Sequence, residues 1–165
     1  MSPASLGCPV PMANPLRFPL LALLLGLAAG AARAQPAPPL PDPTGDWFTE
    51  GRKGVIHVGP CGPVYCGSIV GISEWAKDGS APKDTEGHSQ CQLLIIRDMK
   101  PGDDGRRHGT VTDPRDGKVY TAQLWIADDG DLRLRGYIGL PLLGSTQHWT
   151  KFTGKRQPDC HFSPA

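Results

Sequence analysis

The sequence predicts an all-β protein, a single antiparallel barrel of eight strands held by disulfides. Three observations lead to this prediction. First, Gly109–Lys151 consists of short alternating segments separated by turn residues at nearly even spacing. Second, most other connections are short and rich in turn formers, and no amphipathic helix of ordinary length is apparent. Third, four cysteines follow an export signal, and an even number in an exported chain favours disulfides.

Eight segments have the alternation and composition of strands. They are residues 46–50, 55–59, 64–72, 92–97, 108–112, 118–127, 132–137 and 145–152. A turn such as Asp113–Gly117 separates two of them, because proline presets one turn dihedral and glycine accepts a positive φ. Eight such strands either form a sandwich or close into a barrel. Closure is favoured because it removes exposed edges without long crossovers.

The N-terminus has the features of a signal peptide. Phe18–Ala29 is apolar, follows Arg17 and precedes the small-residue site Ala32–Ala34. Cleavage after that site would remove residues 1–34, and Met12 begins a more conventional signal, so it is an alternative start. A retained anchor is the competing interpretation. It is disfavoured because the apolar stretch is shorter than the roughly 20 residues of a spanning helix.

The 131 residues that remain after cleavage are enough for one domain. Residues 35–43 are proline-rich and predict an extended leader, so the barrel domain is expected over residues 44–153, with residues 154–165 as a C-terminal tail. The predicted mature chain has 15 basic and 16 acidic residues. This balance argues against nucleic-acid binding and against a polybasic membrane patch.

The four cysteines allow three pairings. Cys61 and Cys66 flank a short turn that brings two strand ends together, so they are predicted to pair, which leaves Cys91 with Cys160. The second bridge would tie the tail to the barrel wall and contribute on the order of 4 kcal/mol by chain-entropy estimates. A metal or redox site is the alternative. Cys-x4-Cys has neither the usual zinc spacing nor the Cys-x-x-Cys pattern of oxidoreductases.

Four segments of this chain resemble the DUF2147 domain of exported bacterial proteins. They are PCGPVYCGSIV (60–70), DPRDGKVYTAQL (113–124), LRLRGYIGLPLLG (132–144) and TQHWTK (146–151). The resemblance covers about residues 44–152. It implies a lipocalin-like, calycin-type barrel, a periplasmic or secreted location, and no assigned biochemical activity. The chain departs from the family pattern at Ser68, His148 and Lys151, where members often carry Arg, Thr and Arg.

Gly45-Asp46-Trp47 is similar to the Gly-x-Trp that opens lipocalin barrels. In that family the tryptophan closes one end and a cation from the last strand stacks on it, a role that the resemblance gives to Lys151 here. The alternative interpretation is an ordinary core tryptophan, and both make Trp47 structural. Trp149 and Phe152 are expected to fill the interior, as aromatic residues of a terminal strand usually do in a small barrel.

No catalytic motif is apparent, and the chain is predicted not to be an enzyme. The histidines after the signal lie in separate segments without metal-ligand spacing: His57, His88, His108, His148 and His161. The acidic pairs Asp103-Asp104 and Asp128-Asp129 lie at predicted hairpin tips, where carboxylates are solvated. No metal and no cofactor is therefore expected.

Two functional hypotheses follow. The first is a periplasmic binder of a small apolar ligand, at a barrel mouth lined by Tyr65, Trp75, Tyr137, Leu140 and Leu142. The second is a protein-interaction or inhibitor module with a packed interior, which presents loops such as residues 73–90 to an envelope protein. A monomer is expected under both, and an open or a packed interior distinguishes them. The leucines of residues 139–144 would be exposed, or would be buried if this loop formed a lid.

Overall fold

A computed structural model describes residues 39–163, so the predicted signal peptide and the start of the leader lie outside the described residues. The strands are β1 (Gly45–Phe48), β2 (Gly54–Cys61), β3 (Val64–Ile72), β4 (Leu94–Pro101), β5 (Arg107–Thr112), β6 (Val119–Ile126), β7 (Leu132–Tyr137) and β8 (Ser145–Lys151). Single 3-10 turns occupy Glu50–Arg52 and Pro141–Leu143. Within the described residues, no helix has the length and apolar character needed to cross a membrane.

The eight strands form one closed antiparallel barrel in sequence order. Each strand pairs with the next, and β8 returns to β1 through Trp47 opposite Lys151 and Phe48 opposite Thr150. The predicted fold class is therefore confirmed. The bounds of β3 and β7 are those expected from the alternation, because turn residues stand at or within two residues of both ends of each strand.

β4 differs most from its prediction, since it begins later and continues to Pro101. The register between β4 and β5 shifts between Arg97 and Lys100, and Asp98 adopts a φ of 56°. This bulge pushes the β4 backbone toward β5, so a Cβ on Gly109 would lie 2.3 Å from the carbonyl oxygen of Arg97. Glycine is required there, and sequence alternation alone does not reveal such a bulge.

The two ends of the barrel differ in their connections and in how far the interior is filled. At one end, called here the closed end, tight hairpins join β2 to β3, β4 to β5 and β6 to β7. Its interior is filled by large side chains that are 2 % exposed or less: Trp47, Val58, Ile96, Met99, Leu124 and Leu132. At the other end, the open end, four other connections surround the interior, and the longest lies between Ile72 and Leu94.

The leader contributes to the closed end. Pro43 is fully buried, and its carbonyl oxygen accepts a 2.9 Å hydrogen bond from the indole nitrogen of Trp47. The carbonyl of Pro41 accepts from the guanidinium of buried Arg107 at 2.8 Å. The sequence predicted that folded structure begins at Thr44. In the structure it begins a few residues earlier.

Both predicted disulfides are present. Cys61 and Cys66 join β2 to β3, with Cα atoms 5.8 Å apart. Cys91 and Cys160 join the long β3–β4 connection to the tail, with Cα atoms 5.6 Å apart. The tail then lies along β3, because the amide of Ile72 donates to the carbonyl of Cys160 at 2.7 Å.

A second, smaller apolar cluster lies outside the barrel. Phe48 and Phe152 meet edge to face with ring centroids 5.0 Å apart, and Phe162 of the tail packs against both. Val55 and Val70 complete the cluster. Phe152 was expected inside the barrel. It lies outside because Trp149 and Lys151 occupy the inward positions of β8, and alternation turns residue 152 to the outer face.

Candidate functional site: an interior cavity at the open end

A cavity of about 630 Å³ extends from the open end into the barrel. Its wall is largely apolar and comes from seven strands, β2 to β8: Ile56, Ile69, Ile72, Ile95, Val111, Tyr120, Leu134 and Trp149. Charged residues from three connections stand around its entrance: Glu50, Lys53, Glu74, Asp113 and Arg115. The interior is therefore open at one end and packed at the other.

The cavity exists because inward-facing side chains become smaller toward the open end. Along β7 the inward positions are Leu132, Leu134 and Gly136, and only the last two line the cavity. A Cβ built on Gly136 would have its nearest neighbour, the Cβ of Tyr120, at 3.6 Å, an ordinary contact distance. Position 136 could therefore carry a side chain, and its absence leaves the space empty.

Along β8 the inward side chains also become smaller toward the open end. One of them, Gln147, places a polar group against the apolar wall. Trp149 is 2 % exposed, and its indole nitrogen donates a 2.7 Å hydrogen bond to Oε1 of Gln147. Since an indole nitrogen can only donate, the amide oxygen of Gln147 must face it. The amide nitrogen is then left as a donor, with no hydrogen-bond partner among residues 39–163.

Two hydroxyl groups add to this polar content. Tyr120 and Ser145 line the cavity, and neither side-chain oxygen has a partner among the described residues. Each hydroxyl can donate or accept one hydrogen bond to a bound molecule. The site thus combines an apolar wall with a few polar groups, the composition typical of small-molecule pockets.

Ion pairs hold the charged residues at the entrance. Lys53 Nζ lies 2.8 Å from Glu74, and the guanidinium of Arg115 lies 2.6 Å from Asp113. The hydrogen bond from Arg115 lowers the pKa of the Asp113 carboxyl, and backbone hydrogen bonding and the nearby positive charges act in the same direction. Within each of these two pairs the charges neutralise one another, and Glu50 is the remaining charged residue at the entrance.

The structure does not bring together the five residues that the sequence placed at the mouth, and none of them lines the cavity. Tyr65 lies at the closed end, where its hydroxyl donates to Asp42 at 3.1 Å and Arg107 stacks on its ring at 4.6 Å. Trp75 is nearer the open end, but its ring packs on His161, 4.8 Å between centroids.

The other three predicted mouth residues belong to β7 and the connection that follows it. Tyr137 is buried on the outer face of β7, on the same side as Arg133 and Arg135. Leu140 and Leu142 are 66 % and 86 % exposed in the β7–β8 connection. This connection is therefore not a lid that buries its leucines.

Trp47 and Lys151 lie in contact at the closed end. Lys151 Nζ is 4.1 Å from the centroid of the Trp47 ring and also donates to the carbonyl of Thr44 at 3.2 Å. This geometry is a cation–π contact next to a buried indole. It closes the barrel floor on the side away from the cavity.

Several histidines pair with aspartates on the outer surface, which the sequence did not indicate. His57, His108 and His148 each have a ring nitrogen within 2.8 Å of a carboxylate oxygen. Among the described residues, the group Asp129, Asp131 and His148 is close enough to hold a metal ion. However, Arg133 is already paired with Asp129, and His148 with Asp131.

The cavity residues were missed because the sequence analysis favoured aromatic and apolar residues in the connections and near strand ends. The signal that could have found them is alternation along β8: if Trp149 faces inward, Gln147 and Ser145 must also face inward. Alternation along 119–126 likewise places Tyr120 on one face with Leu124. What no local pattern shows is which end of the barrel remains unfilled.

Comparison with known proteins gives a family and a fold. Residues 45–151 match the family described as "uncharacterized protein conserved in bacteria (DUF2147)". Among solved structures, the chain is similar to protein HP1028 from the human pathogen Helicobacter pylori, which is described as belonging to the lipocalin family. The two share 16 % identity with a TM-score of 0.55, over 68 % of this chain and 84 % of the other. None of the curated proteins matches the sequence.

Proposed function

Because the chain belongs to the DUF2147 family of bacterial proteins and its barrel is hollow at one end, we propose that it is an exported, non-catalytic protein that binds a small apolar ligand. The observation that carries this proposal is the cavity of about 630 Å³. Ligand pockets commonly have volumes of ~300–1,000 Å³ and mainly apolar walls with a few polar groups. The lipocalin-like fold supports a binding role, although fold alone does not define function.

The polar groups of the cavity define the class of ligand. The amide nitrogen of Gln147 is a donor fixed by the bond between its oxygen and Trp149. A ligand that fills the apolar wall and places an acceptor, such as a carbonyl or carboxylate oxygen, on this nitrogen would satisfy both parts of the site. The ligand is accordingly an apolar molecule with an oxygen-bearing head.

An oxidising compartment agrees with the cysteine usage. Four of the five cysteines form two disulfides, and such bonds persist in exported proteins and are rare in the cytosol. The periplasm, or the medium outside the cell, is therefore the proposed location. A barrel interaction module with a packed interior, the second hypothesis from the sequence, is less well supported because the interior is packed only at the closed end.

A binding assay with a plugged cavity tests the proposal. The exported protein, purified without detergent, is titrated with N-phenyl-1-naphthylamine, an apolar fluorophore that brightens in dry pockets. We expect saturable binding by the wild type and at least a roughly tenfold weaker affinity for Gly136→Leu, since the new side chain would project into the cavity and obstruct its wall between Tyr120 and Val111. Native mass spectrometry of the same sample reports any molecule that was retained during purification.

The matched control is Thr121→Leu, which adds the same side chain to an exposed position on the outer face of β6. It should bind the probe like the wild type. Equal affinity for all three proteins, or no saturable binding by the wild type, would contradict the proposal. Far-ultraviolet circular dichroism on each variant checks that the barrel has formed.

A further inference from the structure

A second cavity lies outside the barrel, between the tail, β1 and the first 3-10 turn. It has a volume of about 640 Å³ and is called here the tail pocket. The lining residues that matter for its chemistry are Phe48, Arg52, Phe152, Lys155, Asp159 and Phe162. The tail pocket and the cavity at the open end have no described lining residue in common. The proposed function therefore leaves the tail pocket unexplained.

The tail forms a fixed wall of this pocket, although the described part of the tail contains no helix or strand. The guanidinium of Arg156 donates two hydrogen bonds to the carboxylate of Asp46, both at 2.6 Å. Cys160 is joined to Cys91 by the disulfide, and its carbonyl accepts from the amide of Ile72 at 2.7 Å. These contacts hold the wall in place before a ligand arrives, which reduces the ordering cost of binding.

Arg52 differs from the other arginines in its contacts. Its guanidinium carbon lies 3.9 Å from the centroid of the Phe48 ring, and its side chain has no hydrogen-bond acceptor among residues 39–163. Every other arginine in that range donates to an oxygen: Arg97, Arg106, Arg107, Arg115, Arg133, Arg135 and Arg156. A guanidinium stacked on a ring keeps its in-plane N–H groups free, and these match two oxygens of a carboxylate or phosphate. Arg52 is therefore available to an oxyanion.

The backbone of Arg52 is a second reason to assign it a role. Its φ is 57°, in the left-handed region that few residues other than glycine adopt. Such conformations cost free energy and are concentrated at functional sites and ligand clamps. Because the side chain is exposed, burial does not account for this conformation. A role of the guanidinium in the tail pocket would account for it.

The charged groups of the tail pocket favour an anion. Lys155 adds a second positive charge, and it has no ion-pair partner in the described part of the chain. Asp159 carries the one carboxylate among the described lining residues, and its Oδ1 already accepts from the amide of His161 at 3.0 Å. The ring of His161 packs on Trp75, 4.8 Å between centroids. Two cations thus face one carboxylate, so an oxyanion complements the pocket.

Aromatic rings form the apolar part of the pocket. Phe48 is 8 % exposed beneath Arg52, whereas Phe152 and Phe162 are only partly buried. Aromatic faces and edges attract a further ring. We infer that the tail pocket binds a small aromatic molecule that carries an oxyanion, with the oxyanion bound by the guanidinium of Arg52 and the ring packed against Phe152 and Phe162. This inference is independent of the ligand proposed for the barrel interior.

A titration followed by NMR tests the inference. The disulfide-bonded protein, labelled with nitrogen-15, is titrated with 3-phenylpropionate and, separately, with 3-phenylpropanamide, which has the same ring but no charge. We expect saturable shifts of the amide signals of residues 153–163, with at least roughly fivefold weaker binding of the neutral amide. Phenyl phosphate, titrated in parallel, shows whether the pocket prefers a phosphate or a carboxylate.

Variants locate the anion within the pocket. Arg52→Gln should weaken the binding of 3-phenylpropionate at least roughly fivefold, and Lys155→Gln roughly twofold, because the guanidinium makes the two-oxygen contact. The matched control, Arg97→Gln, removes an exposed guanidinium that lines neither cavity and should bind like the wild type. The same spectra show whether each variant is folded.

The barrel variant separates the two proposals. Gly136→Leu obstructs the interior cavity and should leave the shifts of residues 153–163 in place, since Gly136 does not line the tail pocket. No saturable shift, shifts confined to the interior cavity, equal binding of the neutral amide, or wild-type affinity of Arg52→Gln would overturn the inference and leave the barrel proposal standing. A wild type that binds 3-phenylpropionate in the tail pocket but does not bind N-phenyl-1-naphthylamine would support the inference and contradict the proposed function alone.

Discussion

The closed and open ends of the barrel share the same eight strands, yet one is solid and the other is hollow. Leu132 is fully buried at the closed end, whereas Leu134, two residues along the same strand, forms part of the cavity wall. Strand number sets the width of a barrel. In this chain the size of the inward side chains, from Leu132 to Gly136, decides whether that width is filled. The packed core that stabilises the fold thus lies at one end of the barrel, and the candidate binding cavity lies at the other.

Each end has its own disulfide, and the loops that they close differ greatly in length. Replacing Cys91 and Cys160 by alanine should lower the free energy of unfolding by about 4 kcal/mol, because their sequence separation is 69. Replacing Cys61 and Cys66 should cost about 2 kcal/mol, since their separation is 5. Urea denaturation of both variants measures the difference. Equal losses would show that chain entropy is not the main contribution of these bonds.

Two leucines of β7 test whether the ends respond differently to the same change. Leu132→Ala should lower the free energy of unfolding by about 4 kcal/mol, because it leaves a void in tightly packed surroundings. Leu134→Ala should cost about 2 kcal/mol, since its removal enlarges an existing cavity that is open to solvent. Chemical denaturation gives both values. A larger loss at Leu134 would mean that the open end is packed in solution.

The donor in the cavity can be removed without disturbing its support. Gln147→Glu retains an oxygen for the indole of Trp149 but replaces the amide nitrogen by a carboxylate oxygen. At pH 8 we expect about tenfold weaker binding of cis-parinaric acid, a fluorescent fatty acid, from the lost hydrogen bond and like-charge repulsion. Binding of N-phenyl-1-naphthylamine should change less than about twofold, because it has no carboxylate. An equal loss for both probes would refute a specific donor role.

The smallest expected effect concerns the ion pair at the entrance. Arg115 lowers the pKa of Asp113 in the folded chain, so this pair stabilises the fold above about pH 4, the pKa of aspartate in an unfolded chain. The contribution is lost as the pH falls through the lower, folded value. It should not exceed about 1 kcal/mol, since the side chain of Arg115 is 82 % exposed and water screens the pair. Asp113→Asn should make the free energy of unfolding depend less on pH below pH 4. An unchanged pH dependence in this range would exclude this pair as a cause of acid destabilisation.

Local patterns were sufficient for the strands, because alternation and turn residues are properties of neighbouring positions. They also predicted the disulfides, since the Cys61 and Cys66 pair is local and leaves one partner each for the others. The cavity was not predictable in this way. It depends on Gly136, Ser145 and Tyr120, which meet only when three strands close around a common axis. Tyr65 was placed at the wrong end although it lies just after the β2–β3 turn, which lies at the opposite end of the barrel from the β7–β8 connection.

The short junction between β1 and β8 affects where the barrel opens locally. That junction has two paired positions, whereas β6 and β7 share six. Amide groups along a short seam exchange with solvent through local opening far more readily than those of a long one. Local opening of the barrel is therefore expected first at the β1–β8 junction, which includes Trp47 and Lys151. Their cation–π contact stabilises the barrel at the junction that has the fewest paired positions in the described part of the chain.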